Sequence, residues 1–269
     1  MMGRSEERMK KAIQSITAAV PKSAGDLTYI HLDLADLETI KPAVDKFLEK
    51  EQKLDILFNN AGVAWPEKGA KTKQGYELQV GVNCVGSFAL TKLLTPVLVS
   101  TAKTSQPDSV RVVWVSSSAS QAGNPKDFFE KIHHPEKGSV FDSYAASKLG
   151  NFLHSTEFAG RHKKDGVISV SLNPGNLDSD LWRTQGPITT WILRRLLFYP
   201  SLYGAYVCLF AGISPQVSLE KSGRHIAPWG RLWTVSNAMV AASKSKEEGG
   251  SGIAREFWDW TEDQVKKYV

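Results

Sequence analysis

The stretch Leu54-Asp55-Ile56-Leu57-Phe58-Asn59-Asn60-Ala61-Gly62 joins a short apolar run to a polar turn, and it indicates the fold of the chain. The run has the length and composition of a buried strand. Comparable runs occur at residues 27–32, 110–115, 167–172 and, more briefly, 223–227. Apolar strands that alternate with helical patterns form parallel sheets covered by helices on both faces. We therefore predict an α/β fold with a parallel sheet between two layers of helices.

Helical patterns fill the intervals between these strands. Ser5 is a cap for the first helix, and Pro21 ends it. The predicted helices run approximately from Ser5 to Val20, Asp36 to Lys50, Gln74 to Ser100, Tyr144 to His162, Leu202 to Ala211 and Ile253 to Val265. The alternation continues along the whole chain, so we predict a single domain over residues 1–269.

The composition excludes several classes of protein. The 269 residues are 42% apolar and 23% charged, as in an ordinary globular domain. The basic residues behind the net charge of +5 are scattered, which argues against a nucleic-acid partner. Cys84 and Cys208 lie in apolar runs, so we expect buried thiols, and no metal-ligand spacing occurs. The N-terminus is polar, unlike a secretory signal, and no apolar run reads as a transmembrane segment.

The segment 182–200 is too apolar for a solvated loop. We expect it to hold an apolar substrate, although a packing or dimer surface would have the same composition. Its large apolar residues are Trp182, Trp191, Leu193, Leu196, Leu197, Phe198 and Tyr199.

Polar residues mark the ends of the predicted strands. Asp33, Asn59-Asn60, Ser116-Ser117-Ser118 and Asn173-Pro174-Gly175 each follow an apolar run. Open α/β sheets bind ligands outside the carboxyl ends of their strands, so these residues are expected at one edge of the sheet.

Tyr144 and Lys148 lie one helical turn apart on a common helix face. A lysine charge near a phenol favours the phenolate, whose ordinary pKa near ~10 is too high for acid/base work at neutral pH. The pair alone is a weak signal, since an ordinary helix produces it by chance.

Together, these motifs resemble the short-chain dehydrogenase/reductase family. The resemblance rests on Asn59-Asn60-Ala61-Gly62, Asn83 within Asn-Cys-Val-Gly86, Ser116-Ser117, Tyr144-x-x-x-Lys148 and Pro174-Gly175. The long interval between Ser117 and Tyr144 is most similar to the retinol-dehydrogenase-like branch, particularly its fungal members. The resemblance implies a Rossmann-like sheet and an NAD(P)-dependent oxidoreductase that interconverts an alcohol and a carbonyl on an apolar small molecule.

The resemblance also assigns catalytic roles. It implies that Tyr144 passes a proton to or from the substrate oxygen and that Ser117 hydrogen-bonds this oxygen. Lys148 would lower the pKa of Tyr144 and hold the cofactor ribose. Asn83 would position a water that links Lys148 to solvent.

For the cofactor, the resemblance implies NADP(H) more than NAD(H). Arg4 would bind the 2′-phosphate, to which a guanidinium is suited by charge and fork geometry. Asp33 and Asn60 would flank the adenosine side, while Pro174 and Ser179 would contact the cofactor, Ser179 near the nicotinamide carboxamide. Tyr144 and Lys148 belong to this cofactor set as well.

Partner and location follow from the resemblance too. It implies a homodimer through the Asn83 and Tyr144 helices, and a cytoplasmic protein that associates peripherally with a membrane.

One family motif is absent from the sequence. No Gly-x-x-x-Gly-x-Gly turn occurs, and Met1 to Arg4 matches the end of the family's second strand. We therefore expect the first βα unit of the fold, whose helix N-terminus cradles the pyrophosphate, to be missing. Either the strands ending at Asp33 and Asn60 then pair directly, or their edges are exposed or covered by a partner.

Three functions remain open on the sequence alone. The first is the NAD(P)-dependent oxidoreductase. The second is a cofactor-independent isomerase, dehydratase or cyclase that uses the same Ser-Tyr-Lys site. The third is a non-catalytic truncated homologue.

Overall fold

The computed structural model describes residues 1–179, 191, 194, 195 and 197–269. The strands are β1 (Met2–Gly3), β2 (Ile30–His31), β3 (Ile56–Asn59), β4 (Arg111–Val115), β5 (Ile168–Leu172), β6 (Leu177–Asp178), β7 (Tyr199–Pro200), β8 (His225–Ala227) and β9 (Arg231–Trp233). The α-helices are α1 (Glu6–Ala19), α2 (Ile40–Leu48), α3 (Leu78–Thr104), α4 (Phe128–His133), α5 (Val140–His162), α6 (Ser201–Ile213), α7 (Asn237–Ser243) and α8 (Ile253–Val265).

The main sheet is mostly parallel, as predicted. Its strands are ordered β3-β4-β5-β8-β9, and only the last pair, β8 and β9, is antiparallel. Every residue of β4 and β5 is buried, and apart from Arg111 both strands consist of apolar or small residues. The sequence did not predict β9, whose side chains are at least partly exposed and lack an apolar run.

Two predicted boundaries were wrong. The helix expected from Gln74 begins at Leu78, because the carboxylate of Glu77 accepts a hydrogen bond from the backbone N–H of Val80 and caps it there. The strand expected over 27–32 pairs only at Ile30–His31. The predicted substrate segment 182–200 lies largely outside the described residues.

β1 and β2 form a separate parallel pair. β2 therefore does not pair with β3, so of the two arrangements left open by the sequence, direct pairing of these strands does not occur. The small pair is attached to the domain through α3 instead. A Cβ at Gly86 would lie only 2.5 Å from the carbonyl oxygen of Leu34, so the chain after β2 packs directly on that helix. In the described residues, β3 is an edge strand of the main sheet.

The helix that carries Tyr144, α5, lies in the interior of the domain. Its residues from Ser143 to Ser155 are all buried. The last helix, α8, covers it: the Phe257 ring stacks on His154 with centroids 4.4 Å apart. Trp258 of the same helix packs edge-on against Phe88 of α3. The C-terminal helix therefore packs against both α5 and α3, and the predicted homodimer through these two helices stays a prediction.

Among the described residues, one helix, Leu78–Thr104, is long and apolar enough to cross a membrane. Its apolar window is 67% buried inside the domain, as in the core helix of many proteins, so this is weak evidence for a span.

His154 provides a test of the α5–α8 packing. The Thr261 hydroxyl donates to the Phe257 carbonyl and so accepts a hydrogen bond from Nε2 of His154, while no partner meets Nδ1. Burial lowers the pKa of His154 to about 3, and that of His225 to about 4. Both rings are neutral in the folded state, whereas in the unfolded chain they take up a proton below the ordinary pKa of ~6.5. The unfolding free energy is therefore unaffected by these two groups above this pH, and it falls as the pH drops from there toward the folded pKa values.

We expect His154→Phe to reduce the loss of unfolding free energy between about pH 6 and pH 4 by roughly 1 kcal/mol per pH unit. Urea unfolding at several pH values measures this. His134→Phe, at a half-exposed position, is the control. An unchanged pH dependence in His154→Phe would contradict the buried, neutral ring.

Candidate active site

A cavity of about 1230 Å³ lies at the carboxyl ends of β3, β4 and β5. Most of the residues predicted for the site line this one cavity: Asn60, Ser117, Tyr144, Lys148, Pro174 and Ser179. The structure thus brings together residues from four separate segments of the chain, at the edge where α/β sheets bind ligands.

Tyr144 is only 7% exposed and lies against the indole of Trp65, with ring centroids 5.4 Å apart. Burial raises the pKa of Tyr144, and a hydrogen bond with the Ser117 side chain opposes this rise. The direction is opposite to the lowering by Lys148 that the sequence predicted. In this state the phenol is protonated at neutral pH and is suited to donate a proton.

The position of Lys148 explains that difference. Its Nζ donates to the Val115 carbonyl at 2.9 Å, and it lies 5.8 Å from the centroid of the Tyr144 ring. Burial lowers the pKa of Lys148 to about 8, so the ammonium is still mostly charged at neutral pH. The charge is directed to the end of β4, where the Asn151 amide donates to the same carbonyl.

The two serines after β4 have different partners. The Ser116 hydroxyl donates to the Lys148 backbone carbonyl at 2.7 Å and ties the strand to α5. The Ser117 oxygen accepts from the Ala119 backbone N–H at 3.2 Å and lies beside the Tyr144 phenol. Ser117 is therefore the hydroxyl beside the acid/base candidate, and its hydrogen bond to a substrate oxygen stays a prediction.

Asn83 lies behind the cavity wall, in a π-helical turn of α3 over Gly81–Gly86. Its Oδ1 accepts from the Val63 N–H, and its Nδ2 donates to the Val63 carbonyl and to the Ser147 hydroxyl. The side chain is 2% exposed and joins the loop after β3 to α5. The predicted role of positioning a water stays a prediction.

Two residues near the site were missed by the sequence reasoning. Gln79 is fully buried; its Oε1 accepts from the Trp65 N–H, and its Nε2 donates to the carbonyl of Val140 at the start of α5. The backbone of Trp65 is in the left-handed region, with φ of 56°. The one available signal was that Gln79 precedes Asn83 by four residues, on the same helix face.

Arg4 and Asp33 do not line the cavity. Asp33 Oδ1 accepts from the Ala35 N–H at 2.9 Å, which is a local turn contact. Arg4 is exposed just beyond β1. These two predicted adenosine-side residues follow the ends of the small strand pair, apart from the Tyr144 cavity.

The cavity suits the nicotinamide half of a dinucleotide. Lys148 and Ser179 supply an ammonium and a hydroxyl to it. The glycines among its described lining residues, Gly62, Gly175 and Gly204, come from separate segments and form no phosphate-binding turn. The residues present thus fit the nicotinamide and its ribose, and they provide no pyrophosphate cradle.

A substitution at Gly62 can test how tightly the site is packed. A Cβ there would lie 2.9 Å from Asn83 Oδ1 and 3.6 Å from Lys148 Nζ. We expect Gly62→Ala to lower the unfolding free energy by about 1–3 kcal/mol, because Asn83 or the loop must move. Denaturant unfolding measures this. Gly160→Ala, with no atom within 4 Å of the added Cβ, should be neutral or slightly stabilising. A Gly62→Ala protein as stable as the parent would contradict the described contact.

Comparison with known proteins identifies the family to which this site belongs. A family model described as short chain dehydrogenase matches residues 1–129. A solved NADPH-bound carbonyl reductase from chicken fatty liver has the same fold, with a TM-score of 0.62 and 18% identity over 87% of this chain and 86% of that one. A short-chain dehydrogenase/reductase of Neocamarosporium betae is 42% identical over 100% of this chain and 79% of its own length. Another, of Phomopsis amygdali, is 50% identical over 99% of this chain and 81% of its own length. With this identity over nearly its whole length, the chain belongs to the short-chain dehydrogenase/reductase family of oxidoreductases.

Proposed function

We propose that the protein interconverts an alcohol and a carbonyl on an apolar small molecule, with NADP(H) as the hydride carrier. The observation that carries the proposal is the convergence of Ser117, Tyr144 and Lys148 on one cavity, with Asn83 fixed behind them. A cofactor-independent isomerase, dehydratase or cyclase would use the same residues, so these activities are outcomes of the test below.

In the reducing direction, the Tyr144 phenol donates its proton to the carbonyl oxygen of the substrate. When bound, the nicotinamide supplies the hydride that reaches the carbonyl carbon. Ser117 hydrogen-bonds the same oxygen and orients it toward Tyr144. We expect the Lys148 ammonium, which lies 5.8 Å from the centroid of the Tyr144 ring, to stabilise the phenolate once it forms, although it does not lower the pKa of the resting phenol. In the oxidising direction, the phenolate takes the proton back.

The cavity walls favour a neutral, apolar substrate. Among the described residues that line it, Lys148 is the one charged side chain. Most of the remaining wall is apolar or small, formed by Phe58, Val63, Trp65, Ala119, Ala122, Phe141, Leu177, Ala205, Cys208 and Leu209. A cationic substrate would lose hydration there without a compensating partner, and the Lys148 ammonium that an anion would need already donates to the Val115 carbonyl.

For the cofactor, we propose NADP(H) over NAD(H). An exposed guanidinium at Arg4, directly after a parallel strand, supports this, because it can pair with a 2′-phosphate by charge and fork geometry. We propose that Asp33 and Asn60 contact the adenosine half of the cofactor, and that Pro174 and Ser179 contact the nicotinamide half.

We expect purified protein to bind NADPH more tightly than NADH, and Tyr144→Phe to lower kcat by about 100-fold or more while NADPH still binds. Fluorescence titration and the oxidation of NADPH with a panel of apolar ketones measure these two effects. Tyr203→Phe, at an exposed position, is the matched control.

Two results would contradict the proposal. Absence of NADPH binding at millimolar concentration would exclude the cofactor for this chain. Turnover that needs Tyr144 but is indifferent to added cofactor would support an isomerase, dehydratase or cyclase instead.

We also propose that the protein is cytoplasmic and contacts membranes peripherally through the outer face of α6. The thirteen residues of α6 carry no charge, and Leu202, Tyr203, Tyr206 and Ile213 are each at least 44% exposed. Exposed Trp229 packs against Tyr203, so an aromatic surface extends beyond the helix. Exposed Arg231 lies nearby in β9. Aromatic rings beside arginines suit the interface of an anionic bilayer.

Vesicle sedimentation tests this. We expect binding to phosphatidylcholine vesicles that contain phosphatidylserine, and weaker binding in high salt. The pair Leu202→Ser and Tyr206→Ser should weaken it about tenfold or more, through lost apolar burial. Val20→Ser with Leu48→Ser, at exposed apolar positions elsewhere, is the control. Equal binding by both double variants would contradict the proposed surface.

A further inference from the structure

Trp65 forms an aromatic cluster with two residues of α5. Its ring centroid lies 5.4 Å from that of Tyr144, at an interplanar angle of 33°. It lies 6.0 Å from that of Phe141, at 13°. Phe141 and Tyr144 are three residues apart, so they occupy neighbouring positions on one helix face. All three rings line the large cavity.

The backbone holds Trp65 in an unusual conformation. A φ of 56° is rare for a bulky residue and persists where the surroundings impose it. Gln79 is one group that holds it there: its Oε1 accepts from the Trp65 N–H at 3.2 Å, and its Nε2 donates to the Val140 carbonyl at 3.0 Å and to the Glu77 carboxylate at 3.3 Å. With no exposed surface, the Gln79 amide has no water to replace these bonds.

Gln79 and Asn83 form a pair of buried amides, one turn apart on α3. Each joins the loop after β3 to α5. Asn83 connects Val63 to Ser147, and Gln79 connects Trp65 to Val140. The loop is therefore fixed at two points, and Trp65 lies at the outer one, above the Tyr144 ring.

We propose that Trp65, held by Gln79, is a positioning residue that fixes the Tyr144 ring. The indole restricts rotation of the phenol and shields it from water, so that its hydroxyl stays directed to Ser117 and to the substrate oxygen. The mechanistic part of this inference rests on the proposed function of Tyr144.

Simple core packing does not account for the arrangement. Phe141 is 44% exposed and Tyr144 is 7% exposed, so the cluster extends from the buried core to the surface of the cavity. Packing alone also does not require a left-handed backbone at a tryptophan. The burial that raises the pKa of Tyr144 is consistent with a close aromatic cover.

The first test is NMR of protein labelled with ¹³C-tyrosine, with the Tyr144 signals assigned by their loss in Tyr144→Phe. We expect the Tyr144 ring signals to carry a ring-current shift and to report slow ring flipping in the parent protein. Trp65→Leu should remove the shift and speed the flipping, and Trp65→Phe should retain most of both. Trp233→Leu, an exposed tryptophan outside the cavity lining, is the control.

The second test is kinetic. We expect Trp65→Leu to lower kcat about tenfold to a hundredfold with little change in KM, because misplaced reacting groups slow the chemical step. Trp65→Phe should restore kcat to within about threefold. Gln79→Met, which removes all three hydrogen bonds of the Gln79 side chain and keeps a similar volume, should lower kcat and shift the Tyr144 signals without changing any of the three rings. The Gln79→Met variant still allows the test if Trp65→Leu fails to fold.

Unchanged Tyr144 signals in folded Trp65→Leu or Gln79→Met would overturn the inference. The NMR readout needs neither cofactor nor turnover, so its failure is distinguishable from failure of the proposed reaction. A protein without NADPH-dependent activity, but with the expected changes in the Tyr144 signals, would retain the positioning role and exclude the reaction.

Discussion

The attachment of α5 to the end of β4 is the interaction on which the rest of the site depends. The Val115 carbonyl accepts from Lys148 Nζ and from the Asn151 amide, and the Ser116 hydroxyl returns a bond to the Lys148 carbonyl. These bonds are buried, so each polar group would lack a partner if the helix moved. They fix α5 against the strand end and thereby set where Tyr144 meets Ser117.

This attachment also explains why a helix with many polar residues lies in the interior. Ser147, Asn151, His154 and Ser155 are all buried on α5, and each has a hydrogen-bond partner. The helix is positioned by specific bonds on its sheet side and covered by the apolar face of α8, where Phe257 is fully buried. Stability and site geometry therefore come from the same contacts.

Much of the fold could be predicted from the sequence, because the strands β3, β4 and β5 are short, mainly apolar runs that polar residues follow. The rule that strand ends meet at one edge grouped Asn60, Ser117 and Pro174, and the resemblance to the family added Tyr144 and Lys148. The roles of Trp65 and Gln79 could not be predicted, since they depend on a left-handed backbone and on a bond to Val140, 61 residues away. The cover of α5 by α8 was also missed, because two amphipathic helices do not reveal which face meets which. The missing first βα unit stays a prediction: β3 is an edge strand in the described residues, and β1 and β2 pair apart from it.

The central claim is that Tyr144 transfers the proton while a nicotinamide supplies the hydride to the same substrate. The most direct measurement is isotope transfer from NADPH deuterated at C4 to an apolar ketone, followed by mass spectrometry of the alcohol. The account predicts one deuterium on the carbinol carbon, formed by the parent protein and largely lost in Tyr144→Phe. A product that forms without deuterium, or at an equal rate in Tyr144→Phe, would contradict it.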